Sequence, residues 1–131
     1  MIGIVLVSHS PELAQGLATL IAQVAGAEVS IQPAGGRPDG SLGTSSELVV
    51  QAIQHANSGD GVVVLGDLGS AFLTVRAVLE HQLDDLDQHV RVVDAPLVEG
   101  AVAAVVMAAA GCSFEEVAQA AEEARGARKF A

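Results

Sequence analysis

Residues 2–24, IGIVLVSHSPELAQGLATLIAQV, decide the fold. Ile2 to Val7 is short, apolar without alternation and rich in β-branched residues, the pattern of a strand buried on both faces. Ser10 and Pro11 then supply a cap and a first-turn residue for a helix, along which Leu13, Leu17, Leu20, Ile21 and Val24 recur at helical spacing until Gly26. A buried strand that passes directly into an amphipathic helix is the first half of a βαβ unit.

The same alternation continues outward from this unit. Glu28 to Gln32 reads as a second strand, followed by a long glycine-rich loop, PAGGRPDGSLG, at 33–43. Thr44 to Glu47 matches a capping box ahead of a helix with Leu48, Val49, Ala52, Ile53 and Ala56 on its apolar face. Gly61 and Gly66 enclose VVVL, a third strand, and Ser70 is placed to cap a helix carrying Phe72, Val75 and Leu79. Val90 to Val93 makes a fourth strand, Pro96 starts a helix running to about Gly111, and Ser113 with Glu116 caps the last. Right-handed crossovers then give a three-layer αβα sandwich on a four-stranded parallel sheet, expected in the order 2-1-3-4, with room for an extra edge strand. The 131 residues are expected to form one domain, since no polar or repetitive linker divides them.

Composition narrows the function. The net charge of −10 disfavours binding to a phosphate backbone, so no nucleic-acid partner is expected. Lys129 is the only lysine, which leaves little for Schiff-base or P-loop chemistry. Cys112 is alone and reads as a small packed hydrophobe; no multi-cysteine metal site can be built from one chain. The apolar runs are too short or too interrupted for a membrane span, so a soluble cytoplasmic protein is expected.

In open α/β sheets, function gathers beyond the carboxyl ends of the strands, where the winding reverses. His9 follows the first strand and Asp67 the third, so an order of 2-1-3-4 would bring the two into one crevice. A carboxylate that accepts the Nδ1 proton of an imidazole leaves the Nε2 lone pair facing outward, as a histidine nucleophile requires. Helices opened by Ser10, Thr44 and Ser70 could aim backbone N–H groups at a phosphoryl group there. His55, His81 and His89 read as solvated, and Arg37 in the glycine-rich loop could bind an anion or a partner. A lone loop histidine is more often structural, and Asp67 alone could merely cap a helix; their joint placement at strand ends is what favours a site.

Other chemistries fit less well. A receiver domain would place acidic residues after the first strand and a lysine later, where this chain has SHS and no lysine. GDLGSAF is not the G-x-S-x-G elbow of a serine hydrolase, and the near absence of aromatics offers a flavin nothing to stack on.

VSHSPELAQGL, GTSSELVVQAI, GDLGSAF and DAPLVEGAVAAVVMAAAG, in this order and spacing, resemble the DhaM-type phosphoryl carriers of phosphoenolpyruvate-dependent dihydroxyacetone kinase, whose core is similar to mannose-type enzyme IIA of the sugar phosphotransferase system. The resemblance implies that His9 is phosphorylated, that Asp67 orients it, and that Gly69 and Ser70 shape the phosphate-binding end, to which the helix opening at Ser10 is also expected to contribute. It implies no cofactor, only a covalent phosphohistidine. It further implies phospho-HPr as donor, ADP on DhaL as acceptor with DhaK downstream, and a homodimer. Mannose-type proteins tend to carry D-x-x-G-G-S/T-P after the third strand; the shorter Asp67-Leu68-Gly69-Ser70-Ala71 lacks the proline and favours the kinase branch. Some DhaM proteins continue into HPr-like and enzyme I-like domains, so a separate general HPr is the expected donor. The alternatives are a sugar-transport enzyme IIA acting on an enzyme IIB, and a non-catalytic regulatory module that signals through its phosphorylation state.

Overall fold

A computed structural model describes residues 1–26, 28–81 and 89–130. β1 (Gly3–Ser8) is buried along its whole length, as is β3 (Val62–Gly66) beside it. β2 (Ile31–Gly35) and β4 (Val90–Val92) flank them, and all pairings are parallel in the order β2-β1-β3-β4. Among the described residues the sheet has these four strands and no extra edge strand.

Alternate residues of the two central strands build two cores. Ile4, Leu6, Val63 and Leu65 pack against Leu17 and Ile21 of α1 (Pro11–Ala25), together with α4 (Leu97–Ala109) and α5 (Phe114–Glu123). Val5, Val7, Val62 and Val64 face Val49 and Ile53 of α2 (Ser46–Ala56) and Val75 and Val78 of α3 (Gly69–His81). Every apolar residue of β1 and β3 thus has a helix to meet, which is why these strands show no polar alternation.

The second strand lies three residues later than its sequence pattern suggested. Ile4 pairs with Ile31 and Ser8 with Gly35, so β2 runs as far as the carboxyl end of β1 and takes in Pro33. Proline is tolerated because β2 is the edge strand of the sheet among the described residues. The glycine-rich loop correspondingly starts at Gly36. No helix among the described residues is long and apolar enough to cross a membrane.

Candidate functional site

The β1–α1 turn and the β3–α3 turn meet at the carboxyl edge, between the two central strands. Chain direction reverses here, because α1 leads from β1 toward one edge of the sheet and α3 leads from β3 toward the other. His9 Nδ1 lies 2.9 Å from Asp67 Oδ1, and the two side chains are 25% and 13% exposed. The pair is therefore sheltered by the sheet edge but open on one side.

Asp67 is held by more than the imidazole. Its Oδ2 accepts the Ser8 hydroxyl at 2.9 Å and the His9 backbone N–H at 2.9 Å, while Oδ1 also accepts the Leu68 N–H at 2.7 Å. Burial alone would raise the carboxyl's pKa, but the hydrogen bonds from the His9 backbone, the His9 ring, Ser8 and Leu68 together outweigh it and hold the group below its ordinary 3.8. Asp67 is thus an ionised acceptor.

Among the described residues Ser8 is the buried polar side chain, at 0% exposure. Its oxygen accepts the Ser10 N–H at 3.0 Å, which leaves its one proton for Asp67. Sequence reasoning passed over Ser8. The available signal was a hydroxyl closing a strand that is otherwise wholly apolar.

Opposite Asp67, His9 Nε2 lies 2.6 Å from the Ser70 hydroxyl. With the Nδ1 hydrogen directed at Asp67, Nε2 is the acceptor and Ser70 the donor. Ser70 therefore does not cap α3. That helix begins at Gly69, and Ser70, its second residue, turns its side chain to the histidine. Gly69 stands in open space at the helix start, where a side chain would meet nothing within 4 Å. Ser10 does cap α1, accepting the Leu13 N–H at 3.2 Å and donating to Glu12 at 3.2 Å.

The glycine-rich loop closes a third side. Gly36 N–H donates to Ser8 O and Gly43 N–H to His9 O, each at 3.0 Å, so the loop is tied to both ends of the histidine turn. Ser45 caps α2 by accepting from Leu48 N–H, and Thr44, expected to do so, instead bonds Thr74 of α3 at 2.7 Å. Two adjacent hydroxyls could serve as cap; Thr44 is drawn off by its tertiary partner. His55, His81 and His89 are exposed and far in sequence from this cluster; His89 lies edge-on to Phe114. Cys112 packs on the edge of the α1/α4/α5 core. Among the described residues no group of His, Cys, Asp and Glu is arranged to hold a metal ion.

This geometry suits nucleophilic attack by a neutral imidazole. Asp67 fixes the ring, Nε2 faces solvent beside Ser70, and the start of α3 supplies a positive helix end for an anion.

Residues 3–118 match the family described as PTS system fructose IIA component, EIIA-man. The phosphoryl donor subunit DhaM of phosphoenolpyruvate-dependent dihydroxyacetone kinase 2 from Listeria innocua is 37% identical over 91% of this chain and 95% of its own. The phosphotransferase subunit DhaM of Lactococcus lactis is 40% identical over 88% and 89%. The Escherichia coli DhaM is 35% identical over 89% of this chain, which spans only 25% of that longer protein. A crystal structure of a protein of unknown function superposes with a TM-score of 0.87 at 34% identity, covering 99% and 98% of the two chains. The phosphotransferase system component EIIA of Streptococcus agalactiae shares the fold, with a TM-score of 0.68 at 19% identity.

Proposed function

Because the chain belongs to the EIIA-man family of phosphotransferase system components, we propose that His9 carries the phosphoryl group of a DhaM-type carrier, with Asp67 as its orienting carboxylate. The activity is phosphoryl transfer, and the kinase branch is the one to which its relatives of similar length belong. The observation that carries the residue assignment is the shared oxygen of Asp67, which accepts from the Nδ1 side of His9 while Nε2 stays at the open face.

The step follows from this arrangement. The Nε2 lone pair attacks phosphorus on a donor phosphohistidine, the donor N–P bond breaks, and its electron pair returns to the donor nitrogen. Positive charge that develops on the His9 ring is met by Asp67. Ser70, which donates to Nε2 in the resting protein, rotates to donate to a phosphoryl oxygen. Ser10 holds the first turn of α1 in place through its cap, and Gly69 leaves the start of α3 clear for the anion. In the forward step a β-phosphate oxygen of ADP attacks the same phosphorus and Nε2 leaves. Positioning does most of the work in such transfers.

HPr as donor and ADP on DhaL as acceptor, with DhaK using the resulting ATP, are the partners this reading requires. The 131 residues act in it as a single cytoplasmic domain, paired as a homodimer through the outer faces of α4 and α5, where Val98 and Val106 are exposed.

Intact-mass analysis after incubation with phosphoenolpyruvate, enzyme I and HPr tests the assignment. One acid-labile phosphoryl group is expected, absent from His9→Ala and discharged by ADP-loaded DhaL. A label that survives in His9→Ala would refute it; one that passes only to an enzyme IIB would move the protein to the sugar-transport branch.

A further inference from the structure

We propose that Arg37 binds the phosphoryl group during transfer at His9, an inference that rests on the phosphocarrier reading above. The loop that bears Arg37 is folded back on itself: Arg37 N–H donates to Ser41 O, Gly40 N–H to Arg37 O, and Ser41 to Asp39 Oδ1 through both its N–H and its hydroxyl. That turn lays the arginine side chain across Gly43. A Cβ added at Gly43 would come within 2.5 Å of Arg37 Nε and 3.2 Å of its Cγ, and the residue's φ of +139° also favours glycine. Gly43 is the residue whose N–H meets His9 O, and its neighbour Thr44 bonds Thr74, one turn along α3 from Ser70. The arginine stem is therefore packed on Gly43, the residue that ties this loop to the histidine turn.

Charge gives this placement its meaning. A phosphoryl group brings about two negative charges to an edge that already carries Asp67, Glu12 and Asp39, on a chain of net charge −10. Arg37 itself is attracted to Asp39 within its own turn, and four of the five other Lys and Arg side chains lie against other groups. Arg91 pairs with Glu115, Arg125 with Asp94 and Lys129 with Glu99, and Arg76 lies beside Val92, Val93 and Asp94. Arg37 is exposed, and its guanidinium offers planar paired donors to phosphate oxygens. In the transfer itself the donor N–P bond breaks and the Nε2–P bond forms; Arg37 neutralises the equatorial oxygens and exchanges no proton.

The test uses wild type, Arg37→Gln and Arg37→Lys, each phosphorylated through HPr and first shown to take up one His9-dependent group. Titration of the isolated phosphoproteins by ³¹P NMR should move the phosphoryl ionisation upward in Arg37→Gln. Single-turnover discharge at saturating DhaL–ADP should slow about 10- to 100-fold, the range for a lost charge-assisted hydrogen bond, with Arg37→Lys partly restored. An unchanged ³¹P titration, or a rise in KM for one partner with the saturated rate intact, would overturn the inference. Absence of phosphorylation in wild type would instead refute the carrier reading itself.

Discussion

Two groups of polar contacts in this molecule look alike in distance and differ in kind. At the carboxyl edge, Asp67 receives four hydrogen bonds, three of them from the β1–α1 turn some 58 residues away, and is 13% exposed. On the far flank, Arg91 grips Glu115 with two bonds of 2.6 and 3.0 Å and lies over Phe114, yet the two side chains are 39% and 72% exposed. Short distance does not separate them; the alternatives open to each group do. Glu115 can trade its partner for water at little loss, whereas Ser8 is fully buried and Asp67 is largely sheltered, so water can less readily replace either for the other.

Substitution should expose this difference, most strongly at Asp67. Asp67→Asn should slow phosphoryl discharge by about 10²- to 10³-fold, by analogy with the loss of an oriented polar group worth roughly 2.7–4 kcal/mol in the transition state, as rapid-quench kinetics would reveal. Unimpaired transfer would reduce the carboxylate to a structural anchor. Ser8→Ala removes one donor to Asp67 and the acceptor for Ser10 N–H, and should lower unfolding free energy by about 1–3 kcal/mol in urea titrations. If it does not, water has entered where the side chains now exclude it.

Acid sharpens the same contrast. The folded pKa of Asp67 lies below 3.8, so its stabilisation is complete above that value and is lost as pH falls through the folded value. The part of the stability gap between wild type and Asp67→Asn that the carboxylate supplies should therefore close as pH falls below 3.8, as thermal scans at successive acid pH values would record. Glu115→Gln is expected to have the smallest effect of the series. Its unfolding midpoint at neutral pH should match wild type, and a clear drop would mean that the Phe114 contact depends on the ion pair.

The course of the chain was legible in residues 2–24 because a buried parallel strand and an amphipathic helix leave different periods. The meeting of His9 with Asp67 was legible for a related reason: each stands within two residues of the end of an apolar run, and the fold brings those ends together. What escaped detection depends on contacts distant in sequence. β2 runs on through Pro33, which a central strand would not accommodate, because it lies at the edge of the sheet. Thr44 and Ser45 are equally suited to cap α2, and the choice is made by Thr74, 30 residues on. Ser70 matches a cap pattern locally, yet its partner is 61 residues away.

The hydroxyl of Ser8 carries a consequence for how hydrogen is distributed through the crevice. Because its oxygen already receives the Ser10 N–H, its proton has one direction in which to point, and Asp67 has only acceptor duty left. The wiring is polarised from backbone to serine to carboxylate, and it dictates the ring tautomer before any donor arrives. On the proposed carrier role of His9, a phosphoryl group would enter and leave at Nε2 while every proton keeps its owner, so replacing water by deuterium oxide should leave the rate of the chemical step nearly untouched.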